Sequence, residues 1–464
     1  MNTSRPKPPV LLLCLFILTS LLPPRRLAAQ DLAYHEPSAR AAGLGGAFTA
    51  RGDDTATLFY NPAGLAFLGG LRLKTNISLG SRTTDSAWPD GSEPYRSEPF
   101  EILGAHAVSW QPFRRVTLAT GLFPTSGFEH VWNAAWSGRT ISVFSKLVIH
   151  SFRSAIAVEV FKGFAVSAGV DVVKMSLEWH YRIPFDIPNY PLPTPIPVEG
   201  RENLEDNGVG FCAGGMWKIF PAIQIGASYR SAVDFDLSGL DVFAFSSMYT
   251  RMVPAPEGGQ ILVYDLMRRF YQNQPVTGGL TQPREIACGI ALTPFAKLSL
   301  YADVVWNEGS TFGQWTFRST NPDDGLTPYW PQEYEDFYGM APAYGTQGVP
   351  FAVQDVRRIK AGLEYRLPGY MALRAGYARH ESSVEDADRT PVYPDIARDV
   401  YSLGFGYEGP VFSIWRNDRR IADLSLDVFA RYAAGGPEGS TFPGYELTYT
   451  SKRFSWGVGV GFGI

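Results

Sequence analysis

Residues 454–464 read Phe454-Ser-Trp-Gly-Val-Gly-Val-Gly-Phe-Gly-Ile464, and their alternation decides the fold. Phe454, Trp456, Val458, Val460, Phe462 and Ile464 fall on one face of an extended strand. Ser455, Gly457, Gly459, Gly461 and Gly463 fall on the other, because successive side chains of a strand point to opposite faces. One face is greasy and the other small, as a strand between lipid and a lumen requires. A strand of a soluble sandwich also alternates, but such strands average only ~5–6 residues.

Working outward, the same period recurs from about residue 71. Fourteen segments carry it: 71–81, 99–111, 114–123, 150–160, 164–179, 207–218, 222–235, 284–293, 297–308, 356–366, 370–380, 399–408, 421–432 and 451–464. An even number suits a bacterial single-chain barrel. Short turns at Gln111-Pro112-Phe113, Lys162-Gly163, Phe220-Pro221, Pro294-Phe295 and Pro368-Gly369 alternate with long connections near 81–98, 124–149, 180–206, 236–283, 309–355, 381–398 and 433–450; only the turn at 409–420 is longer than its class. Tight turns at one end and long loops at the other are the layout of an outer-membrane barrel. The 180–206 loop is Pro-rich, and 261–271 has the pattern of a short amphipathic helix.

The chain has 464 residues, with Lys+Arg 41 and Asp+Glu 45, a formal charge of -4. That balance gives no basic face for nucleic acid. Aromatic residues are 14% and glycines number 47, both high, as barrel strands around a curved wall would have. Arg5 and Lys7, the apolar run Val10 to Leu22, and Ala28-Ala29 read as a secretory signal over 1–29. No later stretch offers the ~18 uninterrupted apolar residues of a spanning helix. Cys14 lies in the signal, so Cys212 and Cys288 remain, which allows one bridge but no disulfide framework and no metal-ligand spacing.

Alternation also assigns faces. Gln224, Ser228, Arg230, Lys360, Glu364, Arg366, Arg374 and His380 point inward, as do Arg153, Glu159, Asp171, Glu285, Asp303, Asp423, Asp427 and Arg431. A charge on the lipid face near the midplane costs ~2–4 kcal/mol for Arg or Lys, so charges belong inside. There they either pair across the lumen and brace the wall, or one or two cations meet a ligand carboxylate. Arg153, Arg230, Lys360, Arg366 and Arg374 are the candidates.

Residues 30–70 do not alternate and are rich in Gly and Ala. A barrel of this size leaks unless something fills it, and a compact plug of small residues would do so. The stretches Ser38-Ala-Arg-Ala-Ala-Gly43-Leu-Gly45-Gly46-Ala-Phe48, Asp53-Asp54 and Tyr60-Asn61-Pro62-Ala63-Gly64-Leu65 resemble the hatch of the FadL family of outer-membrane transporters. Ile225–Ser231, Leu300–Trp306, Arg374–Tyr377, Arg389-Thr-Pro391 and Pro394-Asp395 extend the likeness. It implies an all-β fold, a 14-stranded antiparallel transmembrane β-barrel over 71–464, with the hatch, residues 30–70, inside the lumen. The hatch motif would be Gly43, Gly45, Gly46, Asn61, Pro62 and Ala63.

The resemblance further implies a monomer in the outer membrane, among lipids and lipopolysaccharide, that takes up hydrophobic small molecules. Loops would capture the cargo, a lumen pocket hold it, and hatch movement release it sideways near a kinked third strand, with Thr120-Gly121 as the candidate kink. Fatty acids and neutral hydrocarbons fit equally well as cargo. Relatives that serve as secretion or attachment scaffolds keep a second reading open. An enzyme is not expected: His35, His106, His130, His150, His180 and His380 are scattered, and neither Gly-x-Ser-x-Gly nor His-Glu-x-x-His occurs. No catalytic residue, metal or cofactor is expected.

Overall fold

A computed structural model describes residues 36–90, 95–319, 332–340, 345–349, 351–412 and 420–464. The expected signal, 1–29, lies outside these residues. Fourteen staves follow in chain order. They are β1 (Leu71–Ala87), β2 (Phe100–Phe113), β3 (Val116–Val131), β4 (Phe144–Phe161), β5 (Phe164–Phe185) and β6 (Ile196–Phe220). β7 runs Ile223–Arg230 and Val233–Ala244, and β8 runs Gln274–Gln282 and Glu285–Phe295. β9 (Leu298–Asn307) and β10 (Val356–Arg366) are extended outward by the paired strands Trp315–Ser319 and Gly345–Val349. β11 (Met371–His380), β12 (Arg398–Phe412), β13 (Arg420–Gly439) and β14 (Thr448–Gly463) complete the wall.

Neighbouring staves are antiparallel, and β14 returns to β1 in register from Arg72↔Gly463 to Ala87↔Thr448. Closure gives every stave a partner on both sides over at least part of its length, as a bilayer requires because unpaired backbone groups cost several kcal/mol there. The outer face carries an apolar belt. Ile102, Leu118, Phe152, Val170, Val209, Leu403, Val428 and Val458 are exposed along it. Rings of aromatics bound it: Phe113, Phe161, Phe220, Phe295 and Tyr370 at the short-turn end, Tyr377, Tyr401, Tyr432 and Phe454 at the other.

Several staves run further outward than the alternation of greasy against small residues predicts. β5 reaches Phe185 and β6 begins at Ile196, so Pro184 and Pro197 face each other across a ladder instead of sitting in a loop. The reason is a reversal of polarity. Within the belt the outer face of β5 is apolar (Val166, Val170, Val172) and the inner face small or polar (Ser167, Gly169, Asp171). Beyond Val172 the outer face meets water through Lys174, while Val173, Met175, Leu177 and Trp179 are buried inside. The period persists and its phase inverts, so the stretch looks like a loop when only greasy-outside strands are sought. The expected helix appears as α3 (Val263–Phe270) in the β7–β8 connection. The two cysteines are free, Cys212 buried and Cys288 exposed.

The belt yields a position-dependent prediction. Val458→Arg, at its centre, is expected to destabilise the liposome-embedded barrel by about 2–4 kcal/mol, and Asn203→Arg, beyond it on the same outer face, by about 0–1. Denaturant titration in liposomes reads both; equal costs would show that the belt is misplaced.

Candidate functional site

Residues 36–68 lie inside the ring, nearly all of them buried. Ser38 caps α1 (Ala39–Ala42), its Oγ accepting the Ala41 N–H. The turn after α1 needs positive φ at Gly45 (+68) and Gly46 (+82), and Gly46 N–H closes it on Ala41 O at 2.8 Å. A short helix, α2 (Thr57–Tyr60), leads to a 3-10 turn, Pro62–Phe67. Asn61 does three things at once. Its Oδ1 caps that turn by accepting from Ala63 N–H at 3.2 Å, and its Nδ2 donates to Thr49 O at 2.9 Å and to Gly215 O of β6 at 3.0 Å. Pro62 sits at the first position of the turn, where its missing N–H costs nothing.

Small wall residues let this segment approach. A Cβ on Gly404 would stand 3.0 Å from the Gly43 Cα, and one on Gly362 would stand 2.7 Å from Leu44 O. Ala105, Ala107, Ala119, Ala155, Ala157 and Ala165 line the side facing Phe48, Phe59 and Leu65. The glycines and alanines at these positions are therefore the footprint of the inserted segment.

Charge holds the two parts together. Arg51 lies 3.0 Å from Glu364 of β10 and donates to the Tyr301 hydroxyl at 2.7 Å. Arg40 reaches Asp53 (3.1 Å), Glu364 (3.8 Å) and Glu408 (3.0 Å). Lys74 joins Asp54 (3.2 Å) to Asp427 (2.6 Å). Asp303 of β9 accepts the Phe48 and Thr49 N–H groups at 2.7 and 2.8 Å.

The candidate ligand cations are mostly committed to this work. Arg153 makes a two-pronged pair with Asp171 at 2.6 Å and donates to Leu58 O and Phe59 O. Lys360 pairs with Glu36 at 2.9 Å, and Arg374 with Glu364 (2.8 Å) and Asp427 (2.7 Å). Arg230 lies over the Phe59 ring at 4.8 Å. Arg366 stands at the short-turn end of β10, 55% exposed, with its Nε 3.8 Å from the buried Glu364 carboxylate. Gly43, Gly45, Gly46, Asn61, Pro62 and Ala63 all belong to the inserted segment's turns and contacts.

A second set of cations lies outside the five candidates that alternation singles out. Arg358, His380 and Arg398 stand in one cross-strand row on β10, β11 and β12, all buried and facing inward. Glu285 is 3.6 Å from Arg358, and Asp395 is 2.9 Å from Arg398. Arg431 is close enough to act on both His380 and Glu36. Arg431 and His380 were legible as inward residues by alternation; Arg358 and Arg398 share the same phase, and only the register brings the row together.

Above the row the lumen is apolar. Phe128, Leu147, Ile149, Met175, Trp179, Leu204, Phe235, Leu280, Trp315, Phe351 and Tyr393 are among the 23 buried members of one hydrophobic cluster. Further out, α3 and α4 (Gln332–Tyr338) pack with Phe185, Ile187, Tyr271 and Met340 as an aromatic-rich cap.

Among the described residues the wall is interrupted where β2 and β3 border the inserted segment. β2 and β3 pair only from His106↔Leu122 towards the short turn. Beyond Leu122, residues Phe123–Phe128 are buried on both faces, so β3 turns into the lumen. The expected kink at Thr120-Gly121 shifts outward, since those residues still pair on both sides; the ladder to β4 slips at Pro124/Ser126. Pro124, lacking an N–H, is the local cause. The gap ends where Val131 N–H donates to Ser97 Oγ at 2.8 Å. A narrow cavity at the gap is lined by Pro37, Ala39, Leu103, Gly104, Ala105 and Pro124, among others.

Comparison with known proteins follows this geometry. A family model described as outer membrane protein transport protein (OMPP1/FadL/TodX) matches residues 28–410. No curated protein matches the chain by sequence at a significant level. Among solved structures, a Pseudomonas aeruginosa FadL homologue superposes with a TM-score of 0.70 at 16% identity, covering 94% of this chain and 98% of that one. The Pseudomonas putida toluene transporter TodX gives 0.62 at 14% identity, covering 94% and 99%. The Ralstonia pickettii toluene transporter TbuX gives 0.60 at 16%, covering 93% and 98%. At these identities the likeness shows the fold.

Asp303→Ala removes the acceptor of two backbone N–H groups, each such charge-assisted bond being worth ~1.5–3 kcal/mol. The variant is expected to keep a folded barrel, seen as heat-modifiable gel mobility, while passing small solutes faster in liposome swelling. Unchanged swelling would show that this contact does not hold the inserted segment in place.

Proposed function

We propose, from the premise that this chain belongs to the OMPP1/FadL/TodX family of outer-membrane transport proteins, that it takes up hydrophobic carboxylates of the long-chain fatty acid class. The observation that carries this reading is the Arg358–His380–Arg398 row with Arg431, set at the floor of a chamber walled largely by apolar residues. An acyl chain is driven from water into such a chamber by the loss of its apolar contact with solvent. Its carboxylate then meets guanidinium groups, whose charge-assisted hydrogen bonds to oxygen anions are about twice as strong as neutral ones. Among the described residues neither Arg431 nor His380 makes an ion pair within 4 Å; a guanidinium keeps its charge at all working pH values, so Arg431 is the cation best placed to receive a ligand charge.

Capture would begin on the aromatic cap around α3 and α4. Residues 36–68 would act as a hatch, blocking the direct way to the short-turn end. The cargo would leave through the gap between β2 and β3, next to Pro37 and Ala39. A lateral exit keeps the chain out of water, which a straight channel could not do.

A second reading is uptake of neutral hydrocarbons. It is favoured by Glu285 and Asp395, which already neutralise part of the row, and it matches the printed cargo of the toluene transporters. Uptake into liposomes separates the two. Arg431→Ala is expected to slow palmitate uptake about tenfold and to leave toluene uptake unchanged. If palmitate is unaffected while toluene enters, the neutral reading replaces this one; if neither enters the wild-type liposomes, a scaffold role does.

The exit has its own test. Cysteines at Leu103 and Pro124, in a chain whose Cys212 and Cys288 are replaced by Ala, should form a disulfide that stops uptake reversibly. Full uptake through the oxidised protein would place the exit elsewhere.

A further inference from the structure

Outside the belt, three neighbouring strands bring oxygen-bearing side chains together on the inner face. Glu202 of β6 is the direct cross-strand partner of Asp241 of β7, and Asp241 is the partner of Gln274 of β8. All three are buried, Glu202 and Asp241 completely. The residues facing outward at this level, Arg201, Asn203 and Glu205, are polar and exposed, so the level lies in water beyond the lipid. The place is the neck of the lumen. Leu204, Leu237 and Val276 on one side belong to the apolar chamber, and Phe243 and Tyr271 on the other belong with the loop cap.

Directly opposed residues hold their Cβ atoms ~4.5–5.5 Å apart, so the Glu202 and Asp241 carboxyls share one site. The Tyr181 hydroxyl donates to Asp241 Oδ2 at 3.2 Å. Neither oxygen of Glu202 accepts a hydrogen bond. Burial first, and then the Asp241 charge, push the Glu202 carboxyl up to about 9; no cation among the described residues acts against them. A fully buried carboxyl with both acceptor oxygens unused, aimed at a second carboxylate, is an arrangement that a cation would complete.

We propose that Glu202, Asp241 and Gln274 form a binding site for a hard divalent cation, calcium above all, at the neck of the lumen. Carboxylate and amide oxygens are the ligands calcium takes, six to eight of them in flexible geometry, with water filling the remaining positions. No sulfur or imidazole stands in the row, which disfavours zinc and copper. Two carboxylates make a site of modest strength, in the ~10⁻⁴–10⁻³ M range of extracellular calcium modules. Bound there, the ion ties the outer parts of β6, β7 and β8 together where cargo passes from cap to chamber. The site does not depend on which cargo the protein carries.

The rival is a pair of carboxyls that share a proton, which would respond to pH and ignore calcium. Terbium, a luminescent stand-in for calcium, separates them. Trp179 is the cross-strand partner of Glu202 on β5, so it can sensitise a bound lanthanide. The purified full-length protein in detergent is expected to give saturable, indole-excited terbium emission that millimolar calcium displaces. Glu202→Gln should lower that emission at least about tenfold. Equal emission from wild type and E202Q overturns the site, and so does a melting midpoint that moves with pH but not with calcium. Gel heat-modifiability checks that the barrel is folded; should E202Q fail that check, Asp241→Asn is read by the same two criteria.

Discussion

Glu364 is the point on which the interior depends. It is buried on β10 within reach of Arg51 (3.0 Å), Arg374 (2.8 Å) and Arg40 (3.8 Å). Two of these cations come from the inserted segment and one from the wall. Arg374 continues to Asp427, Asp427 to Lys74, and Lys74 to Asp54 of the segment. Each part balances only some of its own charge, as in Arg40 and Arg51 with Asp53, and the rest is met across the boundary: the wall presents Glu364 and Lys360, the segment Arg40, Arg51 and Glu36. Removing one partner of a buried pair costs about 3–5 kcal/mol, because the other is left uncompensated. The barrel and its contents are therefore obligate electrostatic partners, and any movement that opens the lumen must re-pair or hydrate these groups.

That requirement explains the division of the lumen along its axis. Near the short turns, inner faces of glycine and alanine admit a folded segment, and charges fasten it. Towards the loops the same strands turn apolar residues inward and polar ones outward. The Arg358–His380–Arg398 row lies at the boundary between these regimes, one inward-facing step from the Lys360–Glu36 pair. A molecule descending the apolar chamber would meet charge there, directly above residues whose contacts hold the segment in place.

The interruption between β2 and β3 is coupled to the same region. Its cavity touches Pro37 and Ala39, and Ala39 N–H donates to Asn76 of β1 at 3.0 Å. An open wall would expose unpaired backbone to lipid, a cost that β3 avoids by folding Phe123–Phe128 inward. Pro124 is thus both a defect in the ladder and the reason the defect faces the lumen.

Much of this was legible in the chain. The alternation at 454–464, the order of short turns and long loops, and the Gly43–Gly46 and Asn61-Pro62-Ala63 stretches together specify a barrel with something inside it. They do so because strand period and turn chemistry are local properties. The inward phase of Arg153, Lys360 and Arg374 followed from the same period, with the high cost of charge in lipid as its physical ground. The outer strand extensions were missed because polarity inverts where lipid gives way to water, and the position of that change is a property of the assembled belt. Which cations are spent on bracing and which stand together in a row is set by register. Glu36 and Lys360, far apart in the chain, become neighbours only when the wall closes around the segment, and Glu202 and Asp241 only when β6 pairs with β7. Sequence by itself determined the strands, their inner and outer faces, and the presence of the inserted segment. Tertiary structure alone decided who pairs with whom, because pairing depends on distances that local chemistry does not encode.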